Sequence, residues 1–124
     1  GDAFLESTPP VLPFYQARAG QVLALGLGVA RIRAHSLALQ RRLVELLDAH
    51  GVPATGGTDD RGAFVVITDP GAEAWSARLR DAGVVTDARG PRLRLCPDLL
   101  TTDAELVQAA EATAATRPKL GSEP

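Results

Sequence analysis

Hydrophobic and polar positions along the chain alternate between helical and strand periods, and the order of the periods predicts the order of the elements. Val11 to Leu25 reads as a helix, with Leu12, Tyr15, Val22 and Leu25 among its apolar positions. Pro13 is tolerable only in its first turn. The preceding Ser7-Thr8-Pro9-Pro10 closes an irregular entry over residues 1–10, because a diproline bars helix before it and suits a helix start after it. Gly26 and Gly28 mark a bend or a break. From Val29 to His50 the helical signal is strongest: Val29, Ile32, Leu39, Leu43, Leu46 and Leu47 recur mainly at three- and four-residue steps. Arg31, Arg33, Arg41, Arg42 and Glu45 fall largely off that stripe, and Gly51 with Pro53 supplies the stop. A helix continuing with only a bend from Gly20 to His50 would span roughly 45 Å. That exceeds what a domain of this size covers, so such a helix would lean on a second domain.

Thr55 to Gly62 is a loop. Ala63–Thr68 is apolar on both faces and is expected to be a central strand. Ala72 to Ala82 reads as a short helix with Trp75, Leu79 and Ala82 inward. Val84-Val85 and Leu93–Cys96 are two strands around a turn at Gly90-Pro91. Thr102 or Asp103 caps a last helix, with Glu105 placed for a capping box and Leu106, Ala109 and Ala110 toward the core. The expected fold class is α+β. Its order is helix-helix-strand-helix-strand-strand-helix, with long N-terminal helices packed on a small, largely antiparallel sheet. The domain is expected over 11–116, followed by a polar tail over 117–124.

Composition narrows the function. A net charge of -2 argues against a nucleic-acid surface. No run reaches the ~18 apolar residues of a membrane span. One cysteine, Cys96, and two histidines make a disulfide and a metal site unexpected, and with no secretory leader visible the expected location is cytoplasmic. The chain has no methionine, so it is not expected to begin at its own initiator; Gly1 is read as a cleavage boundary, an engineered boundary or the start of one half of a split enzyme. It has one lysine, Lys119, against twelve arginines, so chemistry needing a buried lysine must come from elsewhere.

Among the candidates, His35 and His50 read as structural, Cys96 as a small packed residue, and Thr55-Gly56-Gly57-Thr58 as a weak phosphate-loop signal. Two elements stand out. Alternation along the last strand turns Leu93 and Leu95 to one face and Arg92, Arg94 and Cys96 to the other. A guanidinium held on a strand can grip a carboxylate through two parallel hydrogen bonds. The other is Thr8, whose hydroxyl precedes a helix N-terminus, where phosphate can bind.

The residues that carry these features also resemble a known family. Thr8–Tyr15, Arg31–Leu37, Gly83–Arg89 and Leu93–Pro97, in that order, resemble the C-terminal part of kynureninases and, more broadly, of class V, fold-type-I pyridoxal-phosphate enzymes. The resemblance extends to Thr116. It implies a small α+β domain beside a missing N-terminal large domain that holds pyridoxal 5'-phosphate, its Schiff-base lysine and the aspartate on the pyridine nitrogen. It implies a homodimer acting on an amino acid. Thr8 then contributes to the cofactor-phosphate site of the neighbouring subunit, and Arg94 pairs with the substrate α-carboxylate. The loop between Arg89 and Arg94 is a residue shorter than the family's, which makes Arg92 a second candidate for that role. Asp98–Thr102 replaces the family's tyrosine-containing segment, which leaves hydrolase, lyase and aminotransferase activities open. The isolated chain is expected to be inactive. The competing expectation is a free-standing ferredoxin-like amino-acid-sensing or interaction module.

Overall fold

The computed structural model describes residues 11–118. The entry segment with Thr8, and Lys119 with the remainder of the tail, lie outside the described residues. Seven elements follow in the expected order: α1 (Val11–Leu27), α2 (Val29–Ala49), β1 (Val65–Thr68), α3 (Ala72–Asp81), β2 (Asp87–Arg89), β3 (Arg92–Leu95) and α4 (Asp103–Ala115). The fold is α+β. The chain falls into two compact units, 1–33 and 34–124, which divide within α2.

In the first unit, the break between helices falls at Gly28, whose φ of +84° is open to glycine at little cost. Its N–H donates to the Ala24 carbonyl and its own carbonyl accepts from Ile32 N–H, both at 3.0 Å. One residue thus closes α1 and opens α2. Helix α1 buries none of its residues. Seven large apolar side chains between Val11 and Leu25 are 61–76% exposed. Among the described residues no single helix is long and apolar enough to cross a membrane, although α1 and α2 pass that test when counted together.

In the second unit, α2 ends in a left-handed Gly51 (φ +70°). Gly51 N–H donates to the Asp48 carbonyl and Val52 N–H to the Leu47 carbonyl, each at 2.9 Å, the paired bonds of a Schellman stop. The buried stripe of α2 is Leu37, Gln40, Leu43 and Leu47, so it is rotated from the expected one. Leu39 and Leu46 only flank the core, and Val29 is exposed. Gln40 can sit inside because both ends of its amide are bonded. Nε2 donates to Ser36 Oγ at 3.1 Å, and Oε1 accepts from Gly57 N–H at 3.1 Å.

The sheet has the order β1-β3-β2, with both pairings antiparallel. Here the structure corrects two expectations. First, β1 is an edge strand; β3 is central, because the β2–β3 hairpin fills the sheet on its far side. Among the described residues, the outer edge of β1 pairs with Thr55 alone, through a reciprocal pair of bonds with Val66 at 2.8 and 2.9 Å. Second, Val84-Val85 is not a strand. Gly83 (φ +84°) and Val84 close α3 in a second Schellman stop onto Arg80 and Leu79, which delays β2 to Asp87. For the same reason Ala82, expected inside, is the exposed helix end, while Ala72 and Ser76 are buried beside Trp75 and Leu79.

One core cluster joins Leu43 and Leu47 of α2, the inner strand residues Val65, Ile67, Leu93 and Leu95, Trp75 and Leu79 of α3, and Leu106 and Ala110 of α4. The Trp75 indole N–H donates to the Thr113 carbonyl and Thr116 Oγ1 at 3.2 and 3.1 Å, tying α3 to α4. Arg42 Nε donates to Asp103 Oδ1 at 2.8 Å, tying α2 to α4. That hydrogen bond holds the Asp103 carboxyl below its ordinary range. The expected capping box of α4 is present in full: Thr102 Oγ1 accepts from Glu105 N–H, and Glu105 Oε2 accepts from Thr102 N–H at 2.7 Å.

Candidate functional site

With the inner face of the sheet spent on the core, its chemistry lies on the outer face. Gly90 (φ +54°) followed by Pro91 makes a two-residue hairpin loop, and the signs of φ are those of a type II′ turn. That loop fixes the register: Arg89 faces Arg92, and Asp87 faces Arg94. On the far side of β3, Val66 faces Arg94 and Thr68 faces Arg92. Pleating puts all six on one surface as two rows, Val66–Arg94–Asp87 and Thr68–Arg92–Arg89.

Arg94 is held by two contacts. Its Nη2 pairs with Asp87 Oδ2 across the strands. Its guanidinium carbon lies 5.4 Å from the centre of the Phe64 ring, a cation–π contact. Its Nε is buried and has no acceptor among the described residues. The Arg94 side chain keeps 22% of its surface exposed and Asp87 keeps 49%, so the pair sits on the open face of the sheet. The same Asp87 Oδ2 accepts from Arg89 Nε at 3.3 Å, so a single carboxylate oxygen bridges two guanidinium groups. Arg92 is exposed and has no carboxylate partner among the described residues. Three arginines against one aspartate leave this surface positively charged.

The structure places Arg92 and Arg94 on one face of β3, as the strand alternation predicted, and the hairpin register brings Arg89 beside them. It adds two residues that sequence reasoning did not single out, Asp87 and Phe64. The signal for Asp87 was present in the two-residue turn, which by itself puts position 87 opposite 94. Thr8, the other expected site residue, lies outside the described residues.

Other expectations resolve plainly. Cys96, read as a packed residue, is exposed, because alternation carries it to the outward side while Pro97 takes the buried position. The Gly56-Gly57 loop is structural: the Gly57 amide is already bonded to Gln40. No cluster of His, Cys, Asp and Glu suited to a metal occurs among the described residues. A cleft of about 380 Å³ lies elsewhere, lined by Leu43, Val84, Thr86, Leu95, Leu106 and Ala109 among others. None of the three arginines lines it, and the carboxylate in its wall, Glu105, is already engaged in the capping box of α4. The arginine face is the stronger candidate on chemical grounds.

The family model described as the kynureninase C-terminal domain matches residues 32–113, about two thirds of the chain. This chain belongs to that family. The match includes Asp87, Arg89, Arg92 and Arg94 and stops short of Thr8 on the N-terminal side. No curated protein and no solved structure matches the chain. As a kynureninase-type C-terminal domain, it implies an N-terminal domain as its partner.

Proposed function

We propose that this chain is the C-terminal domain of a class V, fold-type-I pyridoxal-phosphate enzyme acting on an amino acid, and that Arg94 binds the substrate α-carboxylate. The observation that carries the reading is the Arg94 guanidinium on the open sheet face, pinned by Phe64 and Asp87, inside the stretch that matches the family. The described residues contain no lysine, so they offer pyridoxal phosphate no covalent anchor. What they fit is an anionic group of the substrate. The cofactor, held by the N-terminal domain, supplies the electron sink for carbanion chemistry. The work of this chain is orientation. A carboxylate gripped by a rigid fork on a strand fixes the bonds about the substrate α-carbon relative to the cofactor plane. Arg92, two residues along the same face, adds positive charge and is the second candidate for the grip. Thr8 is proposed to reach the cofactor phosphate of the neighbouring subunit in a homodimer, and the enzyme to work in the cytoplasm. The bare apolar surface of α1 is where the N-terminal domain docks.

The test is steady-state kinetics of the intact enzyme. Arg94→Ala is expected to lower kcat/KM by about 2–4 kcal/mol in transition-state terms, most of it in KM. An unchanged KM would remove Arg94 from this role and leave Arg92 as the candidate. A second reading has one observation in its favour. β1 and β2 run parallel with β3 between them and α3 as the crossover, the split β-α-β arrangement of ferredoxin-like sensing modules. On that reading the isolated chain is a well-behaved compact oligomer. On the enzyme reading it self-associates through α1, and light scattering against concentration separates the two.

A further inference from the structure

Resting on the reading of Arg94 as the substrate's carboxylate receptor, we propose that Asp87 is an internal stand-in for that carboxylate: it occupies Arg94 when no substrate is present and is displaced when substrate binds. Three observations point this way. Asp87 stands directly opposite Arg94 in the register, so the pair is built into the hairpin and does not depend on a chance side-chain encounter. The pair is incomplete. Nε and Nη2 form one edge of a guanidinium, the edge that meets both oxygens of a carboxylate. Asp87 engages only Nη2, and with the same oxygen that accepts from Arg89, while the neighbouring Nε is buried without an acceptor. A carboxylate free to approach that edge side-on could satisfy both nitrogens. A strand-tethered aspartate shared between two arginines does not.

The third observation is that Arg94 has a support that does not depend on Asp87. The Phe64 ring lies under the guanidinium from β1's side of the sheet, so the group keeps a platform when the aspartate leaves. Asp87 also has somewhere to go: its carboxylate already touches Arg89, which is exposed and can keep it. Exchange then trades one ion pair for another and never strands a bare charge on the sheet. The consequence is selective. A ligand with one oxygen acceptor gains little over Asp87, whereas a true carboxylate gains the second hydrogen bond. The device favours carboxylates over alcohols, amides and halide ions.

The experiment is a titration of the 124-residue chain with sodium benzoate, followed by the arginine Nε–Hε signals in two-dimensional NMR at low protein concentration. It compares the native chain, Asp87→Asn and Arg94→Lys, with benzamide as the neutral control. Asp87→Asn, which removes the competing charge and keeps the shape, is expected to bind benzoate about three- to fivefold more tightly than the native chain. Its Arg94 Nε signal should move on binding, and benzamide should leave it in place. Asp87→Ser serves if the asparagine variant melts early. Benzoate bound equally or less tightly by both Asp87 variants, with Arg94→Lys abolishing the response, would overturn the exchange while leaving Arg94 as a receptor that Asp87 merely positions. A benzoate response identical in the native chain and Arg94→Lys would overturn the Arg94 reading itself.

Discussion

At the level of single residues, the local environment decides which arginine matters. Twelve arginines are spread along the chain, and strand alternation alone selects Arg92 and Arg94. The proposed preference for Arg94 over Arg92 draws on Phe64 reaching across from beside β1 and on an aspartate seven residues upstream, contacts that the sequence does not display. Phe64→Leu is expected to remove the ring beneath Arg94 and cost about 0.5–1 kcal/mol of carboxylate affinity without unfolding the chain, measurable in the same benzoate titration. Gln40 shows the opposite limit of sequence reading. An amide on the buried stripe of a helix looks like an error until the Gly57 N–H is found opposite it. Gly57 itself has φ +73°, and a Cβ there would lie 2.6 Å from Arg41 Cγ. Gly57→Ala should therefore destabilise the chain by roughly 1–3 kcal/mol in urea denaturation, through backbone strain plus that clash.

At the level of elements, the helices and their order followed from periodicity, and the capping box of α4 could be read directly from Thr102 and Glu105. The strands were harder to place. Val84 looked like strand because it is β-branched and apolar, but its N–H closes α3 onto Leu79 and its side chain packs on the core as part of that stop. β1 looked central because it is apolar on both sides. Its outer apolar residues instead belong to the arginine face, where Phe64 meets Arg94. The α4 cap makes a pH-dependent contribution whose sign is fixed. The Thr102 backbone N–H, and after it the Thr102 hydroxyl, hold the Glu105 carboxyl below its ordinary value. A carboxyl depressed in the folded state stabilises fully above its unfolded value, about 4.3, and that contribution is lost as pH falls through the depressed folded value. Urea midpoints should fall through this acid range, and Glu105→Gln, which cannot titrate, should flatten that part of the curve. Thr102→Ala should cost about 1 kcal/mol at neutral pH.

At the level of the whole molecule, two surfaces call for partners: the arginine face of the sheet and the apolar flank of α1. The expected bend or break between the two helices falls at Gly28, and among the described residues the large exposed apolar side chains of this region concentrate on α1, with Val29 alone on α2. The 34–124 unit has its own core around Trp75, the chain's one tryptophan, so its fluorescence should report a single cooperative unfolding of that unit while α1 contributes little. The central claim is that a kynureninase-type C-terminal domain grips its substrate's carboxylate with Arg94 for a cofactor housed in another domain. The most direct test is a crystal structure of the intact enzyme with a substrate-like amino acid bound. The account predicts the α-carboxylate on the Nε–Nη2 edge of Arg94 at about 2.7–2.9 Å, with Asp87 turned toward Arg89. A carboxylate held by an arginine of the large domain, with Arg94 still closed on Asp87, would contradict it.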